Sequence, residues 1–333
     1  MQLNQNHTAI LAGTRFVLCI LLWFAGLTAL ASGKRIRLIP KLGTDETFRY
    51  RIESTTTTSG KTTTAIVNPE GATRSLLAIH MLVRLDVLSA PATANPGPVH
   101  VRATYEKSEA ESQADAFDPG QPYASEQYAH LQGRSIEFTL DASGKIASVS
   151  GLERLSPDPS ASQSTRTLLN GLIPSSDLPD SGIEIGQKWK SEKPMAGAPF
   201  SDLVWRSEST YLRDEPCPQA VASLPPGDGG AQAGACAVIL TTFTISRRGS
   251  AHSDATPSDY ARNGLHVSGT WTASGQTLDS VSLAKGLLIR STQTIDQRAD
   301  YDIISLANGS KVHQQSRVQS QSETVLEASS GSR

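Results

Sequence analysis

The chain has 333 residues, of which 38% are hydrophobic and 19% charged; this composition is globular and excludes a disordered or low-complexity protein. Thirty Lys and Arg nearly balance 32 Asp and Glu, for a net charge of −2, and no basic block interleaved with aromatics occurs, which argues against a nucleic-acid partner. Seven Phe, four Trp and seven Tyr are few for this length, so the core must rest on Val, Ile, Leu and Ala.

The first element is the apolar run Phe16–Ala31, preceded by Arg15 and closed by Ala29-Leu30-Ala31. It is shorter than the roughly 20 residues a spanning helix needs. A basic start, a short apolar stretch and small residues at Ala29 and Ala31 are the pattern of a secretory signal peptide cleaved after Ala31. Residues 1–31 are therefore expected to be a leader, with the mature chain in the periplasm or outside the cell. The alternative is an inner-membrane anchor formed by residues 16–31, because Lys34, Arg35 and Arg37 on its far side oppose ordinary export orientation. Lipidation at Cys19 is disfavoured by Leu18 just before it and by the continuing apolar run.

From Thr47 onward the dominant period is two, the strand signature. "TFRYRIEST" sets Phe48, Tyr50 and Ile52 on one face, and "AIHMLVRLDVL" does the same for Ile79, Met81, Val83, Leu85 and Val87. "VHVRATYEK" aligns Val99, Val101, Ala103 and Tyr105 opposite His100, Arg102, Thr104 and Glu106. An antiparallel sheet with one apolar and one wet face follows. "SIEFTLDASGKIASVSG" reads as a hairpin turning at Asp141–Gly144. "SPDPSASQSTRTLLNGLIP" is the best helix candidate, carried by Leu168, Leu169 and Leu172 and stopped near Gly171 and Pro174, although a loop also fits.

A β-rich N-terminal half at 32–173 and a β-rich C-terminal half at 174–327 are expected, then a disordered tail at 328–333. In the second half "IGQKWKSE", "LVWRSESTYLRD", "AVILTTFTISRRG", "LHVSGTWTASGQ", "LLIRSTQTID" and "YDIIS" are strand-like. Cys217 and Cys236 flank a Pro/Gly/Ala-rich loop and read as a disulfide closing 217–236, the chemistry of an oxidising compartment. "SKVHQQSRVQSQSETVLEA" alternates but is largely polar, and reads as an edge strand. The echo between Thr139–Ser150 and Thr270–Ser282 raises the question of two similar halves. The fold class expected is all-β: largely antiparallel, long-stranded, an open barrel or sandwich with at most one or two short helices.

"LQGRSIEFTLDASGKIASVSGLERL" followed by "IEIGQKWKSE" carries a motif of Gly133, Phe138, Gly144, Lys145 and Ile146, then Pro179, Ile183, Gly186 and Trp189. Over about residues 43–205 the chain resembles an uncharacterised family of exported bacterial proteins, a domain of unknown function. The resemblance implies export and β-rich structure and brings no activity, so no catalytic residue is carried over.

Recognisable chemistry is sparse. Ser282 and Lys285 form a Ser-x-x-Lys pair but lack the companion elements of penicillin-recognising enzymes. No nucleophile elbow, zinc-protease helix, phosphate loop or calcium loop occurs. His80 and His100 sit on the wet faces of two strands and could meet across a sheet, but two solvated imidazoles are the simpler reading. Glu106, Glu109 and Glu111 read as a solvated acidic strand end. Trp189, Trp205 and Trp271 fit packing or the stacking of a ligand. No metal or cofactor is implied. The expectation is an exported, non-catalytic envelope protein that binds a lipid or other apolar ligand, touching membrane only through an uncleaved leader. The alternatives are a structural or interaction protein of the envelope and a secreted hydrolase without a recognisable motif.

Overall fold

The computed structural model describes residues 35–63, 72–91, 97–115, 125–126, 128–155, 159–174, 178–195, 199–217 and 234–327. Residues 36–333 belong to one compact unit; of the other, residues 1–35, only Arg35 is described. The leader, its Ala29–Ala31 cleavage site, the interior of the 217–236 loop and the tail lie outside the described residues.

The fold is all-β, as the alternation predicts. Five strands come first: β1 (Thr47–Thr63), β2 (Ala72–Ser89), β3 (Val99–Ala114), β4 (Ser135–Leu140) and β5 (Ile146–Ser150). Helices α1 (Leu152–Leu155) and α2 (Pro159–Leu172) follow. The chain continues through β6 (Lys188–Met195), β7 (Leu203–Pro216), β8 (Ala235–Arg247), the short helix α3 (Ser258–Arg262), β9 (Leu265–Ser282), β10 (Leu288–Ser305) and β11 (Lys311–Glu327). All eleven strands form one antiparallel sheet in the order β5-β4-β3-β2-β1-β11-β10-β9-β8-β7-β6. The first and last strands pair at its centre, from Arg49 opposite Glu327 to Thr63 opposite His313. The sheet is not closed into a barrel: β5 and β6 are its two edges.

One apolar cluster spans this sheet. Phe48, Tyr50, Val83, Leu85, Val101 and Tyr105 share it with Phe138 and Leu140 on β4 and with Tyr211 on β7. β4 and β7 each lie one strand in from opposite edges, and the cluster joins them across the strands between through the same-face residues Val101, Val83, Tyr50, Leu326, Leu288, Val281 and Ile239. Leu152, Leu155, Leu169 and Leu172 bring the two helices into the same core. Tyr50 crosses the interior and donates from its hydroxyl to the Leu288 carbonyl at 3.1 Å; complete burial pushes its pKa upward.

Edges are blunted in two ways. β5 is five residues long, and β6 carries Lys188, Lys190, Lys193 and Pro194, charges and a missing donor that discourage further pairing. A strap before β1 bridges towards β6. Ile36 and Ile183 exchange backbone hydrogen bonds of 2.8 Å, Leu38 is buried in the core, and Lys41 donates its N–H to the Lys285 carbonyl at 2.8 Å. Gly286 adopts φ +66°, and a Cβ there would lie 2.3 Å from the Ile39 carbonyl oxygen, so only glycine lets the strap pass.

Several local readings hold. The hairpin turns on Asp141, whose Oδ1 accepts from the backbone N–H groups of Ser143 and Lys145 at 2.8 and 3.0 Å, and Gly144 takes φ +81°. The candidate helix is α2, running through Gly171 to Leu172. The Thr139–Ser150 and Thr270–Ser282 echo differs in structure: its Ala-Ser-Gly is the β4–β5 turn in one copy and lies within β9 in the other. A correction concerns β11. It is the central strand, paired on both sides, and not an edge. Its polarity has another cause, described below.

At a bulge in β3, Glu106 is the extra residue between Tyr105 and Lys107 and turns outward. Arg49 and Arg84 donate to it at 2.9 Å each, with the Arg49 hydrogen bond foremost in lowering its pKa. Two residues on, the buried Ser108 hydroxyl has no hydrogen-bond partner. Replacing Ser108 with Ala should therefore raise stability by about 1 kcal/mol, since an unmatched hydroxyl loses its hydration without compensation. Chemical denaturation of the variant checks this; a loss of stability would contradict it.

Candidate functional site

The inner face, the one lined by the core, is not apolar throughout. On β1 the inward positions begin Phe48, Tyr50, Ile52 and continue Ser54, Thr56, Thr58. The register carries this change across the sheet. Ser54 lies opposite Ser322, Ser322 opposite Gln293, Gln293 opposite Thr277, Thr277 opposite Thr241 and Thr241 opposite Ser209. One row further along, Thr56 faces Ser320, which faces Ile295. A belt of hydroxyls and amides thus crosses six strands at one height, half-buried along most of its length.

Within the belt neighbours satisfy one another. Gln293 Nε2 donates to Thr277 Oγ1 at 3.1 Å, Ser209 and Thr241 share a hydrogen bond of 2.8 Å, and Thr56 and Ser320 one of 3.0 Å. Half-buried apolar side chains interleave with it, notably Leu77, Ile295 and Val318. By register Asp279 shares the inner face beside the belt, opposite Ser291. This composition explains β11: Ser316, Val318, Ser320, Ser322 and Thr324 are its inward positions, polar because they form the belt.

Beyond the belt, on β7–β10, lies a second apolar cluster of Phe200, Leu203, Phe243, Ile245, Val267 and Trp271. Trp205 stacks on Phe243 with centroids 4.1 Å apart, and Phe200 meets Tyr301 edge-on at 5.7 Å. Arg247 is buried beneath, paired with Asp202 at 3.0 Å, with its guanidinium 4.6 Å from the Phe200 centroid. The belt therefore runs between a large aliphatic core and a smaller aromatic one.

The residues singled out from sequence fall as follows. The three tryptophans all take inward positions: Trp271 is buried in the aromatic cluster, Trp205 is partly buried against it with Lys193 Nζ 5.9 Å from its ring, and Trp189 packs against the aliphatic core. His80 and His100 are on neighbouring strands but far apart along them. His80 lies opposite Glu109 and Glu53, whereas His100 Nδ1 is 3.3 Å from Thr139 Oγ1. Glu109 pairs with Lys107 at 2.8 Å, leaving Glu106, Glu109 and Glu111 as separate outward groups. Ser282 accepts from the Lys285 backbone N–H in a turn, while the Lys285 ammonium pairs with Glu46 at 2.9 Å. Among the described residues no group of three potential metal ligands occurs. Cys217 and Cys236 form the expected disulfide, with Cα atoms 5.0 Å apart.

Of the residues in the Gly133–Trp189 motif, Lys145, Pro179 and Ile183 come together beside the strap. Lys145 pairs with Asp180 at 2.8 Å, and both line a cavity of about 340 Å³ with Pro179, Ile183 and Leu38. Sequence reading did not find the hydroxyl belt. Its one local signal is the switch of β1's inward positions from aromatic and aliphatic to Ser and Thr without loss of period.

No family model and no curated protein matches the chain. Among solved structures, one titled for lipid–protein interactions in lipovitellin aligns over 88% of this chain and 26% of its own, with 11% identity and a TM-score of 0.44. The chain thus spans about a quarter of that protein's length. OccK11 (OpdR) of Pseudomonas aeruginosa aligns over 88% of this chain and 99% of its own, with 6% identity and a TM-score of 0.17. At these values neither comparison bears on function. Among the described residues no helix is long and apolar enough to cross a membrane.

Proposed function

We propose that the protein is exported to an oxidising compartment and there holds an apolar or amphipathic ligand, lipid-like in size, against the inner face of its unclosed sheet, without catalysing a reaction on it. The observation that carries this reading is the half-buried belt of hydroxyls and aliphatic side chains between two packed apolar clusters. A face built only for packing would continue the Val, Leu and Ile pattern of its first half. Hydroxyls already paired with their neighbours can accept or donate once more at little cost, which suits the polar part of a ligand. The Cys217–Cys236 disulfide supports the compartment.

The test is direct. Protein purified from its native compartment is extracted with organic solvent and the extract analysed by mass spectrometry. The stripped protein is then titrated with a fluorescent fatty acid. Bound lipid in the extract and saturable probe binding are expected. Thr56→Trp and Thr277→Trp, which fill the belt, should each weaken probe binding at least about ten-fold, a loss of roughly 1.4 kcal/mol, with unchanged circular dichroism. An empty extract together with no probe binding would overturn the proposal.

A further inference from the structure

The outer face of the same central strands carries a second feature, independent of the belt. An open groove of about 600 Å³ crosses β1, β11, β10 and β9, lined by Lys61, Arg298, Arg317, Asp300, Gln315 and Thr272, with others. That volume is in the range of small-molecule sites. Its floor is an unusual juxtaposition. Arg298 on β10 and Arg317 on β11 are direct cross-strand partners, pointing to the same side. Like charges so placed repel and destabilise a sheet. Ser59 continues the row on β1, opposite Arg317, and Arg74 extends it on β2 beside Asp115.

The local carboxylates offset this charge only in part: Arg298, Arg317 and Lys61 stand against Asp296 and Asp300. Asp296, one step along β10, serves both arginines. Arg317 donates to its Oδ2 from Nη2 and, at 3.2 Å, from Nε, whereas Arg298 Nε comes only to 3.7 Å of its Oδ1, and Gln319 Nε2 also donates to it at 3.2 Å. Asp300, on the other side of Arg298, accepts from Gln315 Nε2 at 2.9 Å. The Arg298 side chain is 71% exposed. Lys61 has no ion pair among the described residues. Two guanidinium forks and an ammonium therefore face one groove with most of their donors unengaged. The strands hold their backbones at fixed register.

We infer that this groove binds a phosphate- or sulfate-bearing ligand, gripped by Arg298 and Arg317 from adjacent strands with Lys61 at its rim. Guanidinium forks make paired, charge-assisted hydrogen bonds to tetrahedral oxyanions. A dianion between the two arginines converts their repulsion into shared attraction. The ligand could be a free phosphorylated molecule or the headgroup of an anionic lipid surface. The chemistry recognised is the same.

The experiment separates these sources. Full-length protein lacking the leader is titrated calorimetrically with pyrophosphate and, in a second arm, floated with vesicles of phosphatidylglycerol or of phosphatidylcholine. Saturable binding of pyrophosphate, or flotation with phosphatidylglycerol vesicles alone, is expected at low salt, weakening as salt screens the charges. The double variant Arg298→Gln, Arg317→Gln should lose at least about ten-fold in whichever arm binds, about 1.4 kcal/mol. Its thermal midpoint should stay near that of the wild type, because the repulsion removed offsets the exposed Arg317–Asp296 ion pair lost with it. An Arg102→Gln control, on the outer face but paired with Glu137 at 2.8 Å, should bind like the wild type. No binding in either arm, or equal binding by the double variant, overturns the inference. Loss of binding accompanied by a lowered midpoint also overturns it, since that would assign the arginines a structural role.

Discussion

Replacing Arg247 with alanine is expected to cost about 3–5 kcal/mol of stability, the loss seen when one partner of a buried ion pair is removed. The side chain is only 4% exposed. Its Nε and Nη2 donate to the two Asp202 oxygens at 3.0 and 3.2 Å, Nη1 to the Gly269 carbonyl at 2.6 Å and Nη2 to the Ser253 carbonyl at 2.9 Å. Alanine would strand all of these acceptors beside the aromatic cluster. Lysine should not rescue, because one ammonium cannot span acceptors arranged for a planar fork. The double variant Arg247→Ala, Asp202→Ala should lose less than the sum of the single variants, as coupled groups do. By comparison, the exposed pair Arg206–Glu192, at 3.1 Å, should contribute under about 1 kcal/mol. Urea denaturation decides; a loss for Arg247→Ala no larger than that of the surface pair would refute the assignment.

The same pair sets an acid limit. Burial opposes ionisation of Asp202, but hydrogen bonds from Arg247 and from the Gly249 N–H outweigh it and hold its pKa below the ordinary aspartate value. A lowered carboxylate pKa stabilises the folded state fully above the unfolded value, about 3.9, and that contribution fades as pH falls through the folded value. Arg247→Ala should flatten this part of the acid unfolding curve.

Opening the Cys217–Cys236 bridge is the second large effect. About 3 kcal/mol should be lost on reduction, from the entropy regained by a loop whose ends are 19 positions apart in sequence. The bridge sits where the β7–β8 ladder ends, beside the Pro216–Ala235 pair, so the unbridged ladder should also fray there. Denaturation with and without dithiothreitol, alongside a Cys217→Ala, Cys236→Ala variant, measures it. Reduced protein as stable as oxidised protein would remove the bridge as a stabiliser and the main support for an oxidising compartment.

The strands were legible because each repeats one local rule: in β1 the alternation of Phe48, Tyr50 and Ile52 with Arg49, Arg51 and Glu53 needs no knowledge of neighbours. The disulfide was legible because two cysteines flank one Pro/Gly/Ala-rich stretch of sequence. Position in the sheet was not. β11 reads as an edge from its Ser and Gln content, yet it is central, because polarity at Ser320 and Ser322 reflects what the inner face is lined with and not how many partners the strand has. The Arg298–Arg317 pair was hidden for a related reason. Nothing near either residue marks the other until the register is known. Arg247, at the end of the strand-like "AVILTTFTISRRG", carries no mark of burial in the sequence and becomes a core residue only through Asp202 and Phe200.

The pairing of β1 with β11 imposes a timetable. Arg49 must wait for Glu327, 278 positions later, so the middle of the sheet cannot zip until β11 has emerged from the ribosome. Contacts this distant slow folding. Until then both central strands expose bare hydrogen-bonding rims. The centre of the sheet therefore becomes rigid only when β11 arrives.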